Sequence, residues 1–259
     1  MRDYDDYTYI HSVNVAILAL CLGKRIGLQR NGLEKLGIAG LLHDLGKIHV
    51  PPDVLQKPGK LTKEEFDIIR QHPLKSVLHV IRLSSDRELK AAVIPAVYEH
   101  HIRYDLTGYP KIRRQRPQCL FASILAIADV FDAMTSPRIY RLNAYSPDRA
   151  LGLMTEEAGT AFDPELLKTF VNSVGIYPAG TLLRLDTGEL ALVVPSAGTQ
   201  ANGARPRVLI LGRDGCNNFK KEGEVELSEH DPETGTYKRN IVKSLNPATY
   251  GVQPGRFFF

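Results

Sequence analysis

The hydrophobic pattern of this 259-residue chain changes period once, near residues 175–178 (GIYP), and that change limits the folds open to it. Before it, apolar residues recur three and four apart, the spacing of a helix with one buried face. Ile10, Val13, Ile17, Leu18 and Cys21 form such a stripe, and residues 118–134 include an apolar stretch (FASILAIADVFDAM) that reads as a central helix. Thr62 and Glu65 make a capping box, and Ser85 to Glu88 opens a further helix that contains Pro95. Ser146-Pro147 and Asp163-Pro164 each set a cap before a proline at the first helical position. After Tyr177 come alternation and turn residues: TLLRL-DTGE-LALVV reads as a hairpin and RVLIL as another strand. The expected fold is mainly α, a helical bundle over 1–175 followed by a small β-rich C-terminal segment over 176–259. That segment reads as short of hydrophobics and as packing on the bundle.

Composition excludes little but points in one direction. No apolar run approaches the roughly 18 residues of a transmembrane span, and the polar, acidic start MRDYDDYTYI lacks the features of a secretory signal. Three widely spaced cysteines (Cys21, Cys119, Cys216) without a CxxC pair suit reduced thiols in the cytoplasm and give no support to a zinc–thiolate site. A net charge of +4 does not argue for a nucleic-acid polymer. Arg103, Lys111, Arg113, Arg114 and Arg116 cluster against one acid, Asp105, which suits either a phosphate-bearing ligand or a solvated basic loop.

The chemistry is concentrated in histidines and in two aspartates set among apolar residues. Residues 43–47 (HDLGK) close the apolar run GIAGLL, and Asp129 lies inside AIADVFDA. A buried carboxylate among alanine, isoleucine and valine needs a strong cationic partner. Taken singly, each of the eight histidines is more often a surface or satisfied core residue. Taken together, His11, His43, His72, His100 and His101 with Asp44 and Asp129 could hold two metal ions, Asp44 bridging them. Nitrogen and oxygen donors without sulfur suit iron, manganese or zinc and do not suit calcium.

The segments IHSVNVA, LLHDLGKIHVPPDVLQKPGKLTKEE, RQHPLKS, EHHIRYDLTGYP and ADVFDAMTSPRIYR stand in an order and spacing that resembles the HD-GYP family of cyclic dinucleotide phosphodiesterases, within the HD superfamily of metal phosphohydrolases. The likeness runs from about Tyr9 to Pro178. It implies an HD-type helical bundle and makes His11, His43, Asp44, His72, His100, His101 and Asp129 the ligands of two divalent metals, most often iron or manganese. It implies a phosphate contact and catalytic role for Lys47 beside the bridging Asp44. It also implies that Arg138 and Arg141 grip the dinucleotide phosphates, and that Gly108-Tyr109-Pro110 forms a substrate-side loop through which signalling proteins could dock.

The activity implied is hydrolysis of cyclic di-GMP, or of cyclic GMP-AMP, to a linear dinucleotide such as pGpG, with further cleavage to GMP left open. No membrane or nucleic-acid polymer is expected as a partner. The rival reading is a catalytically weak cyclic-dinucleotide sensor or protein-interaction module. Its best support is Ile102, which stands where the family has glutamate after the paired histidines, and its best objection is the intact ligand set. The chain also has Leu106 where the family has glycine and Tyr7 where some members have a glutamate for a third metal. Two metals are therefore expected, with weaker support for the paired histidines and a displaced GYP loop if the missing glycine had positive φ. Because Met1 precedes the first expected ligand by only ten residues, an N-terminal regulatory region is expected to be missing from this chain.

Overall fold

The computed structural model describes residues 2–83, 86–111, 116–136, 144–195, 204–215 and 217–258, with backbone alone at 2–7 and 248. The chain divides into two compact units, 1–144 with 153–173, and 145–152 with 174–259. The first is helical. Its elements are α1 (Arg2–Arg25), α2 (Arg30–Leu42), a 3-10 turn (Leu45–His49), α3 (Pro52–Leu55), α4 (Lys63–Ile69), α5 (His72–Arg82), α6 (Arg87–Glu99) and α7 (Leu120–Thr135). Helix α8 (Pro147–Glu156) is divided, 147–152 going to the second unit and 153–156 to the first, and α9 (Pro164–Val174) completes the helical part.

Helix α7 is the centre of this unit. Ala122, Ile124, Leu125, Ile127 and Ala128 are fully buried, so it is apolar around most of its circumference and packs on α1 and α6. Helix α1 departs from the expected stripe. Ile10, Ile17 and Cys21 are exposed, while His11, Val15, Ala16, Ala19 and Leu22 are buried. The buried face uses small residues because α1 and α2 approach closely: a Cβ on Gly40 would lie 2.8 Å from Ala16 Cα. The Thr62–Glu65 capping box forms as read. The cap of α6 is Asp86, whose side chain accepts from the Leu89 N–H at 2.6 Å; Ser85 lies outside the described residues.

The second unit contains a five-stranded antiparallel sheet of β1 (Leu182–Leu185), β2 (Leu190–Val193), β3 (Arg207–Arg213), β4 (Phe219–Glu226) and β5 (Ile241–Leu245). The spatial order is β4-β3-β2-β1-β5. The hairpin turn between β1 and β2 uses Gly188 at φ +85°. Both sheet faces are covered by apolar side chains: Leu183, Val193 and Ile210 on one, Leu182, Leu192 and Leu209 on the other. The strands therefore read as continuous apolar runs rather than alternating ones, and this region is richer in core than its composition suggested. Strand β4 was not evident in the sequence because it is a charged edge (FKKEGEVE), exposed along most of its length. No helix among the described residues is long and apolar enough to cross a membrane.

Candidate metal centre

The HDLGK segment is a tight turn pressed against the start of α5. The Gly46 N–H donates to Ser76 Oγ at 2.7 Å, and Ser76 Oγ donates to the His43 carbonyl at 2.9 Å. A Cβ on Gly46 would sit 2.2 Å from the His72 carbonyl oxygen, so only glycine permits this approach. The turn thereby carries Asp44 to within reach of α5. Asp44 is 2% exposed, and its two oxygens face different histidines. Oδ1 lies 3.1 Å from His72 Nε2 and 3.9 Å from His100 Nε2; Oδ2 lies 3.3 Å from His43 Nε2 and 3.5 Å from His11 Nε2. Beyond, His11 Nε2 is 3.1 Å from Asp129 Oδ1, and His101 Nδ1 is 4.0 Å from Asp129 Oδ2.

All seven expected ligands are thus brought together from α1, the α2–turn junction, α5, the end of α6 and α7. They fall into two groups with donor atoms within 4.8 Å of one another: Asp44 with His72, His100 and His101, and His11 with His43 and Asp129. The remaining described histidines are elsewhere: His49 and His79 meet each other at 2.8 Å, and His230 packs on Tyr237.

Each buried ring is oriented from behind. The Nδ1–H groups of His43, His72 and His100 donate to the carbonyls of Gly40 (2.7 Å), Ile69 (2.8 Å) and Val97 (2.7 Å), each three residues earlier. That fixes the tautomer and leaves the Nε2 lone pair facing inward. His11 Nδ1 instead meets Asp132 Oδ2 at 2.6 Å, and Asp132 Oδ1 accepts from Asn14 (2.9 Å) and Ser136 (2.8 Å). Sequence reading passed over Asp132. Its signal was present, a second carboxylate three residues after Asp129 on the same helix.

The local field is tuned by this crowding. Burial, then the neighbouring His101, His43 and His72, holds His100 well below its ordinary pKa. Burial likewise drives His101 down to about 3 against the opposing pull of Asp129. Burial acts against charge on His11, but the carboxylates of Asp129, Asp132 and Asp44 prevail and push it up to about 12. Burial alone would raise Asp44, yet His43 and Lys47 keep it well below the usual carboxylate range; Asp129 is held low by His11 and His101. Lys47, which donates to Asp44 Oδ2 at 2.5 Å, stays above its ordinary value despite burial, because Asp44 and Asp129 face it.

The residues present fit a metal. His43 Nε2 and Asp44 Oδ1 are buried without a hydrogen-bond partner, and lone pairs of imidazole and carboxylate point at one another across the centre. Such an arrangement is unfavourable until a cation lies between them. Ionised carboxylates and the neutral rings of His100 and His101 are the states that metal binding needs, while His11, held protonated by its carboxylates, would give up a proton to a cation.

The family model of the HD domain matches residues 3–166. This chain belongs to the HD domain family. A cyclic di-GMP phosphodiesterase of Pseudomonas aeruginosa is 38% identical over 213 residues, covering 82% of this chain and 50% of the relative. A 3'3'-cGAMP-specific phosphodiesterase of Vibrio cholerae is 35% identical over 151 residues, 58% of this chain and 34% of the relative. The chain therefore spans half the length of the first relative and about a third of the second. An HDG"Y"P protein from Bdellovibrio bacteriovorus shares the fold, with a TM-score of 0.50 and 19% identity over 63% of this chain and 51% of that one.

Within this HD domain the other expected residues are placed as follows. Tyr109 packs on the His101 ring at 4.7 Å between centroids, and burial pushes its phenol pKa up. Arg138, Arg141, Arg113 and Arg114 lie outside the described residues, as does the side chain of Tyr7. Two members of the basic cluster are committed to structure: Arg103 pairs with Glu157, and Arg116 with the buried Glu99. Glu99 also accepts from the Cys119 N–H at 2.9 Å, which ties the end of α6, and with it the paired histidines, to the start of α7.

The departures acquire definite shapes. Ile102 is 2% exposed and beside the paired histidines in the wall of a cavity, while the second nitrogen of His100 is already satisfied by Val97. Loss of the family's glutamate therefore does not leave His100 unoriented. Leu106 takes φ +64°, the left-handed conformation a glycine would adopt freely, so the loop keeps a glycine's turn at the cost of strain.

Proposed function

We propose that this chain is a metal-dependent phosphodiesterase that hydrolyses cyclic di-GMP to linear pGpG, working in the cytoplasm with two divalent ions, iron or manganese. Residues 1–175 are its catalytic part and 176–259 an extension. The observation that carries this reading is the pair of ligand groups meeting on the two oxygens of Asp44. There, His11, His43 and Asp129 would hold one cation and His72, His100 and His101 the other, with Asp44 shared between them. Bound there, such cations would lower the pKa of water and polarise a phosphoryl oxygen. Lys47, held in place by Asp44, directs an ammonium into the centre, where it offsets charge that builds on phosphate oxygens. Tyr109 lines the substrate side. Asp132 keeps a proton on the outer nitrogen of His11 and so holds its inner nitrogen for the metal.

The test is elemental analysis of anaerobically purified protein followed by product analysis with cyclic di-GMP and 3'3'-cGAMP. Two metals per chain and release of pGpG are expected. Metal-loaded protein that binds a cyclic dinucleotide without cutting it would replace this reading with a sensor.

A further inference from the structure

A cavity of about 710 Å³ opens beside the metal centre within the helical unit, with His100 and His101 on one wall. Its volume lies in the range of small-ligand pockets. The walls are largely apolar, contributed by residues such as Ile102, Val130, Met154 and Phe162, and charges of both signs stand around them. Phosphates favour a cationic lining; apolar walls with a few directed polar groups favour a flat heterocycle.

Arg70 is the most directed of those groups. Its guanidinium lies 5.7 Å from the Phe66 ring centroid and 5.6 Å from that of Tyr109, and its Nη1 donates to Asp67 Oδ1 at 3.2 Å. Phe66 and Tyr109 meet edge to face at 5.9 Å, and Tyr109 packs in turn on His101. The guanidinium is therefore oriented before any ligand arrives, with donors left over in its fork. Glu156 and Glu157 line the same cavity; Glu157 is paired with Arg103, so the carboxylate offered to a ligand is that of Glu156. A guanidinium, which only donates, matches the two acceptors O6 and N7 of guanine; adenine offers N7 beside a donor amino group. A carboxylate, which only accepts, matches guanine N1–H and N2–H₂ and opposes the adenine N1 lone pair. Both signs of charge select the same base.

We propose that this cavity is a guanine pocket and that Arg70 reads the base. The proposal deepens the phosphodiesterase reading and rests on it. It explains how a substrate with two chemically similar phosphodiesters is recognised by something other than phosphate, because a base in this cavity lies beside the histidines of the metal centre.

The test compares binding of GMP and AMP to the metal-loaded chain by calorimetry, in wild type, Arg70→Met and Arg70→Lys. The ratio of the two Kd values cancels the shared phosphate. Wild type should prefer GMP by roughly 5- to 150-fold, the discrimination typical of a bidentate arginine–guanine contact. Both variants should lose most of that preference, Lys because it keeps charge without the planar fork. If Arg70→Met does not fold or hold metal, Arg70→Lys decides. Equal affinity of wild type for the two nucleotides, or a preference that survives both substitutions, overturns the proposal. Turnover separates the two readings. Selective GMP binding without cleavage of any cyclic dinucleotide keeps the guanine pocket and removes the phosphodiesterase; cleavage of cyclic di-GMP and cyclic di-AMP alike, without base preference, does the reverse.

Discussion

The two ligand groups on either side of Asp44 differ in composition and are backed differently. His11, His43 and Asp129 form the more anionic side, and Asp132 stands directly behind His11 with Asn14 and Ser136 holding it. His72, His100 and His101 form a side of imidazoles, the first two backed by backbone carbonyls and the His101 side chain 22% exposed. Carboxylates add Coulombic attraction to a cation that neutral imidazoles lack, and a carboxylate behind a histidine raises its basicity. On the proposed two-metal reading the first side would therefore be the tighter site. The second is the one that lines the cavity. On that reading one half of the centre would retain a cation and the other would meet a ligand.

Removing the shared residue should break both halves together. Asp44→Ala is expected to abolish metal retention and hydrolysis, and to destabilise the protein by about 3–5 kcal/mol as Lys47 and four imidazoles lose their common carboxylate. Two metals per chain in that variant, measured by elemental analysis, would refute the bridging role. Next in size is Lys47→Met. Its turnover should fall about 10²- to 10³-fold with a smaller change in KM, as for loss of a donor that meets charge in the transition state. A rise in KM with turnover intact would make Lys47 a ground-state grip instead.

Asp132→Asn addresses one side alone. It should weaken the cation held by His11 by about 10- to 100-fold and leave the other group's affinity in place. In a chelator titration, wild type should lose the cation of the imidazole side first, and Asp132→Asn should narrow or reverse that order. Equal weakening at both sites would mean that the two halves act as one. The smallest effect belongs to the loop beside the imidazole side. Leu106→Gly relieves a left-handed leucine that is 42% exposed, and should raise stability by about 1 kcal/mol, seen as a Tm increase of a few degrees. An unchanged or lower Tm would show that the leucine is held there by contacts worth more than the strain.

Much of the centre was legible in the chain because metal ligands must be particular residue types, and because their flanking motifs mark helix ends where side chains can converge. HDLGK, the paired histidines and a lone aspartate in an apolar helix are visible without coordinates. Their backing was not. Asp132 sits in the same helix as Asp129, but nothing in that helix says that His11 packs against it; only the packing of α1 on α7 does. The same holds for Ser76, which pins the HDLGK turn, and for Glu99, which reads as an ordinary acid until Arg116 and the Cys119 N–H are seen around it.

What the sequence determined by itself was local: the change from helical to extended periodicity, the caps, and the seven residues able to hold metal. Those follow from propensity and from donor chemistry, which each residue carries wherever it is. Tertiary structure decided which face of α1 is buried, since the close approach of α1 and α2 at Gly40 admits Ala16 and leaves Ile10 and Ile17 outside. It also decided that β4 is a strand, through its pairing with β3, and that Arg70 lies against both the Phe66 and Tyr109 rings on the wall of the cavity. These features depend on contacts between residues far apart in the chain. The pattern of either partner alone does not encode them.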